Sequence, residues 1–110
     1  MMTEKEQNQR SFYRLSFPPL EYPKLSIGHE VFSVFELSEE GCRFQRQGSS
    51  SFKVGQEIAG TVTFASGKQE PVAGTIIRVD RRVYVSQFSE RISFHTMMEL
   101  QQDLARRYAH

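Results

Sequence analysis

From Val31 to Phe88 the chain is a succession of short runs of β-branched and aromatic residues, each closed within a few positions by a turn signal. Few architectures tolerate that punctuation. Val31-Phe32-Ser33-Val34-Phe35-Glu36-Leu37 is the clearest strand. Gly41 interrupts, and Cys42 to Gln47 resumes as its hairpin partner; Gly48-Ser49-Ser50-Ser51 then reads as a flexible link. Gln56 to Ala65 and Val72 to Asp80 flank Ser66-Gly67-Lys68-Gln69, a hairpin turn, and Arg81-Arg82 marks a tight turn into Val83 to Phe88. Upstream, Ser11 to Phe17 alternates until Pro18-Pro19 closes it, because paired prolines cannot continue a central strand. A short extended stretch follows around Leu25 to Ile27. Six strands of this length, turning at short intervals, predict a mainly β fold: a closed or nearly closed antiparallel barrel.

The hydrophobic period changes after the last strand. Phe94, Met97, Leu100 (or Gln101), Leu104 and Tyr108 recur at helical spacing and predict a C-terminal helix packed on the barrel. Thr96-x-x-Glu99 forms a capping box at its start, with Ser93 as the alternative cap, and Arg106-Arg107 suit the negative end of the helix dipole. Residues Met1 to Gln9 are polar and mixed in charge, with nothing to bury, so they are expected to be a flexible tail before a domain spanning 10–110.

Composition narrows the functions open to such a barrel. A chain of 110 residues makes one domain with one modest core, into which the nine Phe fit. A net charge of +1 gives no global field toward nucleic acid polymers or anionic membranes, so any anion site must be local. The lone cysteine, Cys42, has neither a disulfide partner nor a metal-binding companion and is expected inside the barrel. His29, His95 and His110 are dispersed, and no metal set is expected. No stretch reaches the roughly 20 apolar residues of a membrane span, and the N-terminus lacks an apolar signal core. A soluble, cytoplasmic protein is expected. No nucleophile–base pair, catalytic carboxylate pair or Gly-rich phosphate loop is visible, which argues against an enzyme.

Two clusters carry chemistry. Arg10 and Arg14 stand four residues apart where the tail becomes a strand. Guanidinium groups are planar and permanently charged, and they donate paired hydrogen bonds to phosphate or to the O6/N7 edge of guanine. Glu36-Leu37-Ser38-Glu39-Glu40-Gly41 supplies the complement. The Glu36 carboxylate accepts from guanine N1–H and N2–H, Ser38 donates or accepts, and Gly41 permits positive φ and close backbone approach. Cations for phosphate and a carboxylate for the base are what guanine-nucleotide recognition requires. Glu39 and Glu40 are expected to face solvent, and Arg78, Arg81 and Arg82 read as a solvated hairpin end, with a small contribution to ligand charge as the alternative.

In this order and separation, the Arg-x-x-x-Arg arm and the acidic-x-Ser-x-x-Gly turn resemble the PilZ domain. The resemblance runs over nearly the whole chain after Gln9. It includes Leu-Ser-Glu-Glu-Gly-Cys-Arg-Phe, the Gly74-Thr75-Ile76-Ile77-Arg78-Val79 strand and the terminal helix. It implies a six-stranded PilZ-type barrel with a C-terminal helix, and a receptor for cyclic di-GMP held by Arg10, Arg14, Glu36, Ser38 and Gly41. The dinucleotide would be a ligand, not a cofactor. Ligand binding would order the arginine arm, and a downstream protein controlling motility, adhesion or exopolysaccharide output would read the new surface. The chain departs from the family pattern twice: Glu36 replaces the usual Asp or Asn, and Gln9 stands where many members carry a further arginine.

Two other readings compete. The same barrel can serve as a ligand-independent interaction adaptor, which nucleotide-insensitive capture of a partner would reveal. A small barrel can also bind single-stranded nucleic acid on aromatic platforms. The low net charge and the alternating placement of Phe favour core positions instead. Monomer and dimer both remain open.

Overall fold

The computed structural model describes residues 14–46 and 51–108. The expected tail over residues 1–9, Arg10 and most of the Gly48–Ser51 link lie outside the described residues. The strands are β1 (Arg14–Ser16), β2 (Lys24–Ile27), β3 (Glu30–Ser38), β4 (Gly41–Gln45), β5 (Glu57–Thr63), β6 (Gln69–Val79) and β7 (Val83–Phe88). Helix α1 spans Phe94–Tyr108, and a 3-10 turn spans Pro19–Glu21.

The sheet runs β1-β3-β2-β5-β6-β7-β4, and the β3–β4 hairpin pairs its last strand with β3, leaving β1 outside the closure. This closes a six-stranded antiparallel barrel of β2 to β7, as expected. Two strands divide their labour differently from the sequence reading. The short stretch at Leu25 is a full barrel strand, paired to β3 through Leu25↔Phe32 and to β5 through Leu25↔Val62. The described part of the first strand, Arg14–Ser16, straps the outer edge of β3 through Arg14↔Ser38 and Ser16↔Glu36.

Side-chain alternation fills the barrel. Leu25, Phe32, Val34, Leu37, Phe44, Val62, Ile76 and Tyr84 are fully buried. Phe32, Phe44, Phe52 and Tyr84 pack ring against ring, with centroids 5.1–6.3 Å apart. The Tyr84 hydroxyl accepts the Phe52 N–H at 3.2 Å, which satisfies its polar tip.

Two β-bulges break the alternation, and both aim side chains. Simple alternation from Phe32 and Val34 would carry Glu36 inward. The register shift between Val34 and Glu36 inserts Phe35, so Leu37 turns inward and Glu36 outward. A second shift between Ile76 and Arg78 inserts Ile77 and turns Arg78 to the same outer face.

Helix α1 closes the core with Met97 and Leu100, and Leu104 packs partly against it. Phe94 departs from the expected stripe: it is the first helical residue and remains 55% exposed, while Ile92, just upstream, is buried instead. The side chain of Tyr108 lies outside the described residues. The cap is Ser93, whose hydroxyl accepts the Thr96 N–H at 3.1 Å. The Thr96–Glu99 box does not form, because Thr96 is already inside the helix and Glu99 accepts from Lys68 Nζ at 3.0 Å. At the other end, Arg107 pairs with Asp103 at 3.1 Å and with Glu21 at 3.0 Å, fastening the helix to the 3-10 turn.

Candidate ligand-binding cleft

Cross-strand register assembles the site in alternating rows. Ser16, Glu36, Arg43, Val85 and Arg78 are successive partners across β1, β3, β4, β7 and β6. The next row, Leu15, Leu37, Cys42, Ser86 and Ile76, faces the core. The row after it brings Arg14 opposite Ser38, and Gly41 opposite Gln87. Between the two outer rows lies an open cleft of about 420 Å³, whose lining includes Arg14, Glu36, Ser38, Gly41, Arg43 and Arg78. Four of the five residues expected to bind ligand therefore meet on one surface; the fifth, Arg10, is outside the described residues.

The acidic centre of the cleft is held from one side. Glu36 Oε1 lies 3.9 Å from Arg14 Nη1, and Ser16 Oγ donates to Glu36 Oε2 at 3.5 Å. The Glu36 side chain is only a quarter exposed, whereas that of Arg14 is 72% exposed. An exposed pair at this distance contributes little to stability, so Arg14 can exchange Glu36 for a ligand at low cost.

Ser38 organises the turn. Its hydroxyl donates to the Gly41 carbonyl at 3.3 Å and accepts the Glu40 N–H at 3.3 Å. The turn is also pinned from behind: Phe88 N–H donates to the Glu40 carbonyl at 2.6 Å and Ile92 N–H to the Glu39 carbonyl at 2.8 Å. This pinning corrects one expectation. Glu39 is buried, 8% exposed, because the turn lies against the segment that joins β7 to α1; Glu40 lines the cleft.

Gly41 serves differently from its sequence reading. Positive φ among the described residues occurs at Gly28, Gly55 and Gly67, not at Gly41. A Cβ on Gly41 would collide with the backbone oxygen of Ser86, and it would also sit 3.3 Å from the Ser86 carbonyl carbon. Close approach is thus needed, but by β7 of the barrel itself.

Arg43 was not singled out in the sequence, although its place between Cys42 and Phe44, both buried, marks it as outward-facing. Arg78 also lines the cleft, so it belongs to more than a solvated hairpin end; its Nε pairs with Asp80 Oδ2 at 3.0 Å. Exposed Ile77 and half-buried Val85 supply an apolar patch beside these arginines. Beneath the cleft, Cys42 lies 3.3 Å from the Ser86 hydroxyl, and burial pushes its thiol up to about 12 against a small lowering by that contact.

A concave, open surface that presents, among the described residues, three arginines, a held carboxylate and an apolar patch suits a compact anionic ligand. Fold and cleft together define a small β-barrel binding module. The PilZ domain model matches residues 8–106, and the chain belongs to the PilZ family. PilZ domains are binding and adaptor domains rather than enzymes, and cyclic di-GMP is their ligand, not a cofactor. Two solved structures share the fold. The Legionella uncharacterized protein Lpg0364 superposes with a TM-score of 0.61 at 12% identity, over 89% of this chain and 99% of that one. The Bacillus subtilis inhibitor of motility, MotI/DgrA, gives a TM-score of 0.65 at 18% identity, over 87% of this chain and 49% of that one. The chain thus spans about half the length of MotI/DgrA. No curated protein sequence matches the chain. Among the described residues there is no cluster of three or more His, Cys, Asp or Glu fit for a metal ion, and no helix long and apolar enough to cross a membrane.

Proposed function

We propose that this chain is a cytoplasmic cyclic di-GMP receptor, with a domain spanning 10–110 and Arg10, Arg14, Glu36, Ser38 and Gly41 at its ligand site. The observation that carries the reading is the convergence of Arg14, Glu36, Ser38 and Gly41 on one cleft from β1, β3 and β4. Arg14, joined by Arg10 from the tail, takes the phosphates, and Glu36 accepts from the guanine N1–H and N2–H edge. Ser38 and Gly41 act chiefly by shaping the turn that presents Glu36. Ordering residues 1–10 against the cleft costs conformational entropy that charge-assisted contacts offset. The rearranged surface is then read by a downstream protein. Motility is one output this reading favours, since a protein of the same fold is an inhibitor of motility.

An NMR titration of labelled protein with cyclic di-GMP tests this. The expected result is saturable shifts at Arg14, Glu36 and the Ser38–Gly41 turn that GTP does not reproduce. Shifts absent from the cleft at millimolar ligand would refute the site. Partner capture unaffected by the nucleotide would then favour the adaptor reading.

A further inference from the structure

Among the described residues three arginines line the cleft, and they are not equivalent. Arg14 has Glu36 within 3.9 Å and Arg78 has Asp80 at 3.0 Å. Arg43 has no ion-pair partner among the described residues, although Glu36 stands directly opposite it in the β3–β4 register. The reason lies in the edge that Glu36 favours: its carboxylate is engaged by Arg14 and Ser16 of β1. Strand β1 flanks β3 on the side away from β4. Arg14 and Arg43 therefore stand on strands separated by β3, roughly 10 Å apart by the usual strand spacing, with Glu36 between them. Next to Arg43, Val85 and exposed Ile77 form the apolar patch.

We infer that Arg43 is a further ligand-binding residue, which donates to a phosphate on the side of Glu36 opposite Arg14. The inference rests on the receptor reading and deepens it. The cleft recognises a ligand with two phosphodiester groups by a cation on each side of a central carboxylate, and the second cation lies outside both sequence motifs. Arg78 is a weaker contributor on the same wall, because Asp80 already neutralises it.

The test is equilibrium binding of cyclic di-GMP to the full chain and to Arg43→Ala, Arg43→Lys and Arg14→Ala, at low and high KCl, with thermal melts of each. Arg43 is exposed on the outer face, so Arg43→Ala should melt with the wild type. Its affinity should fall about ten-fold or more, with a deficit that shrinks as salt rises, and Arg43→Lys should recover part of it. Wild-type binding that Arg43→Ala matches within about two-fold would overturn this inference alone. No binding by the wild type would overturn the receptor reading and this inference together.

Discussion

Gly41→Ala separates two accounts of the glycine in the ligand turn. If the glycine is there to admit a ligand, the variant should fold normally and simply bind less. The structure predicts otherwise, because the added methyl would meet the Ser86 carbonyl of β7, a backbone group that cannot swing aside as a side chain can. Relief requires β4 to move off β7, loosening the Gly41↔Gln87 and Cys42↔Ser86 pairs and the 2.6 Å bond from Phe88 N–H to the Glu40 carbonyl. Overpacking of this kind costs about 1–3 kcal/mol, and a rigid neighbour puts it at the upper end. Replacing a strand glycine returns about 0.5–1 kcal/mol of backbone entropy. The net loss is about 2 kcal/mol, which for a chain of 110 residues lowers the melting temperature by roughly 8–10 °C. Circular dichroism melts read this directly. Gly55→Ala provides the contrast: its φ of 92° strains any side chain, but nothing lies within 4 Å, so it should cost about 1–2 kcal/mol and leave the cleft intact. A Gly41→Ala protein that melts with the wild type would refute the packing argument.

Other perturbations probe the barrel and its helix. Cys42 should resist thiol reagents in the native protein at pH 8 and react on unfolding, which a timed dithionitrobenzoate assay will show. Because folding raises this thiol from 9.0 to about 12, its contribution to stability is complete below pH 9 and fades as pH rises from there to about 12. Urea titrations should accordingly show a steeper alkaline loss in the wild type than in Cys42→Ala. Ser93→Ala removes the α1 cap and should cost about 1 kcal/mol, or roughly 4 °C in a melt, whereas Thr96→Ala should cost less. Lys68→Ala should return the Glu99 carboxyl toward its ordinary range, since that residue's hydrogen bond and charge hold it down; carbon-detected NMR titration reads the change.

The barrel was legible because its strands carry their own boundaries. The last strand runs from Val83 to Phe88 as its sequence predicts, and the turn expected over Ser66 to Gln69 joins β5 to β6 with Gly67 at a φ of 92°. What the pattern could not show was register. Glu36 faces the cleft only because Phe35 is bulged out, and Arg78 only because Ile77 is. Period-two reading places both on the wrong face, since a bulge depends on how partner strands close the barrel. The same holds for burial of Glu39 and for the role of Gly41. The first follows from the bond to Ile92 of the β7–α1 segment and the second from the approach of Ser86 in β7, both more than 40 residues away in the chain. The motif residues stand out without any of this, because their chemical types and spacing carry a signal of their own, and four of them line one cleft. Arg43 gives no such signal, because a lone arginine in a strand announces nothing until its neighbours' partners are known.

The most direct measurement of the central claim is calorimetric titration of the full chain and of Arg14→Ala with cyclic di-GMP, with GTP as the control. Arg14 is exposed and its pairing with Glu36 is long, so the variant should keep wild-type stability. The account predicts saturable heat with the wild type, none with GTP, and an affinity at least ten-fold weaker in Arg14→Ala, as expected for loss of charge-assisted bonds of about 1.5–3 kcal/mol. Equal affinity in the variant, or no heat from the wild type, would contradict it.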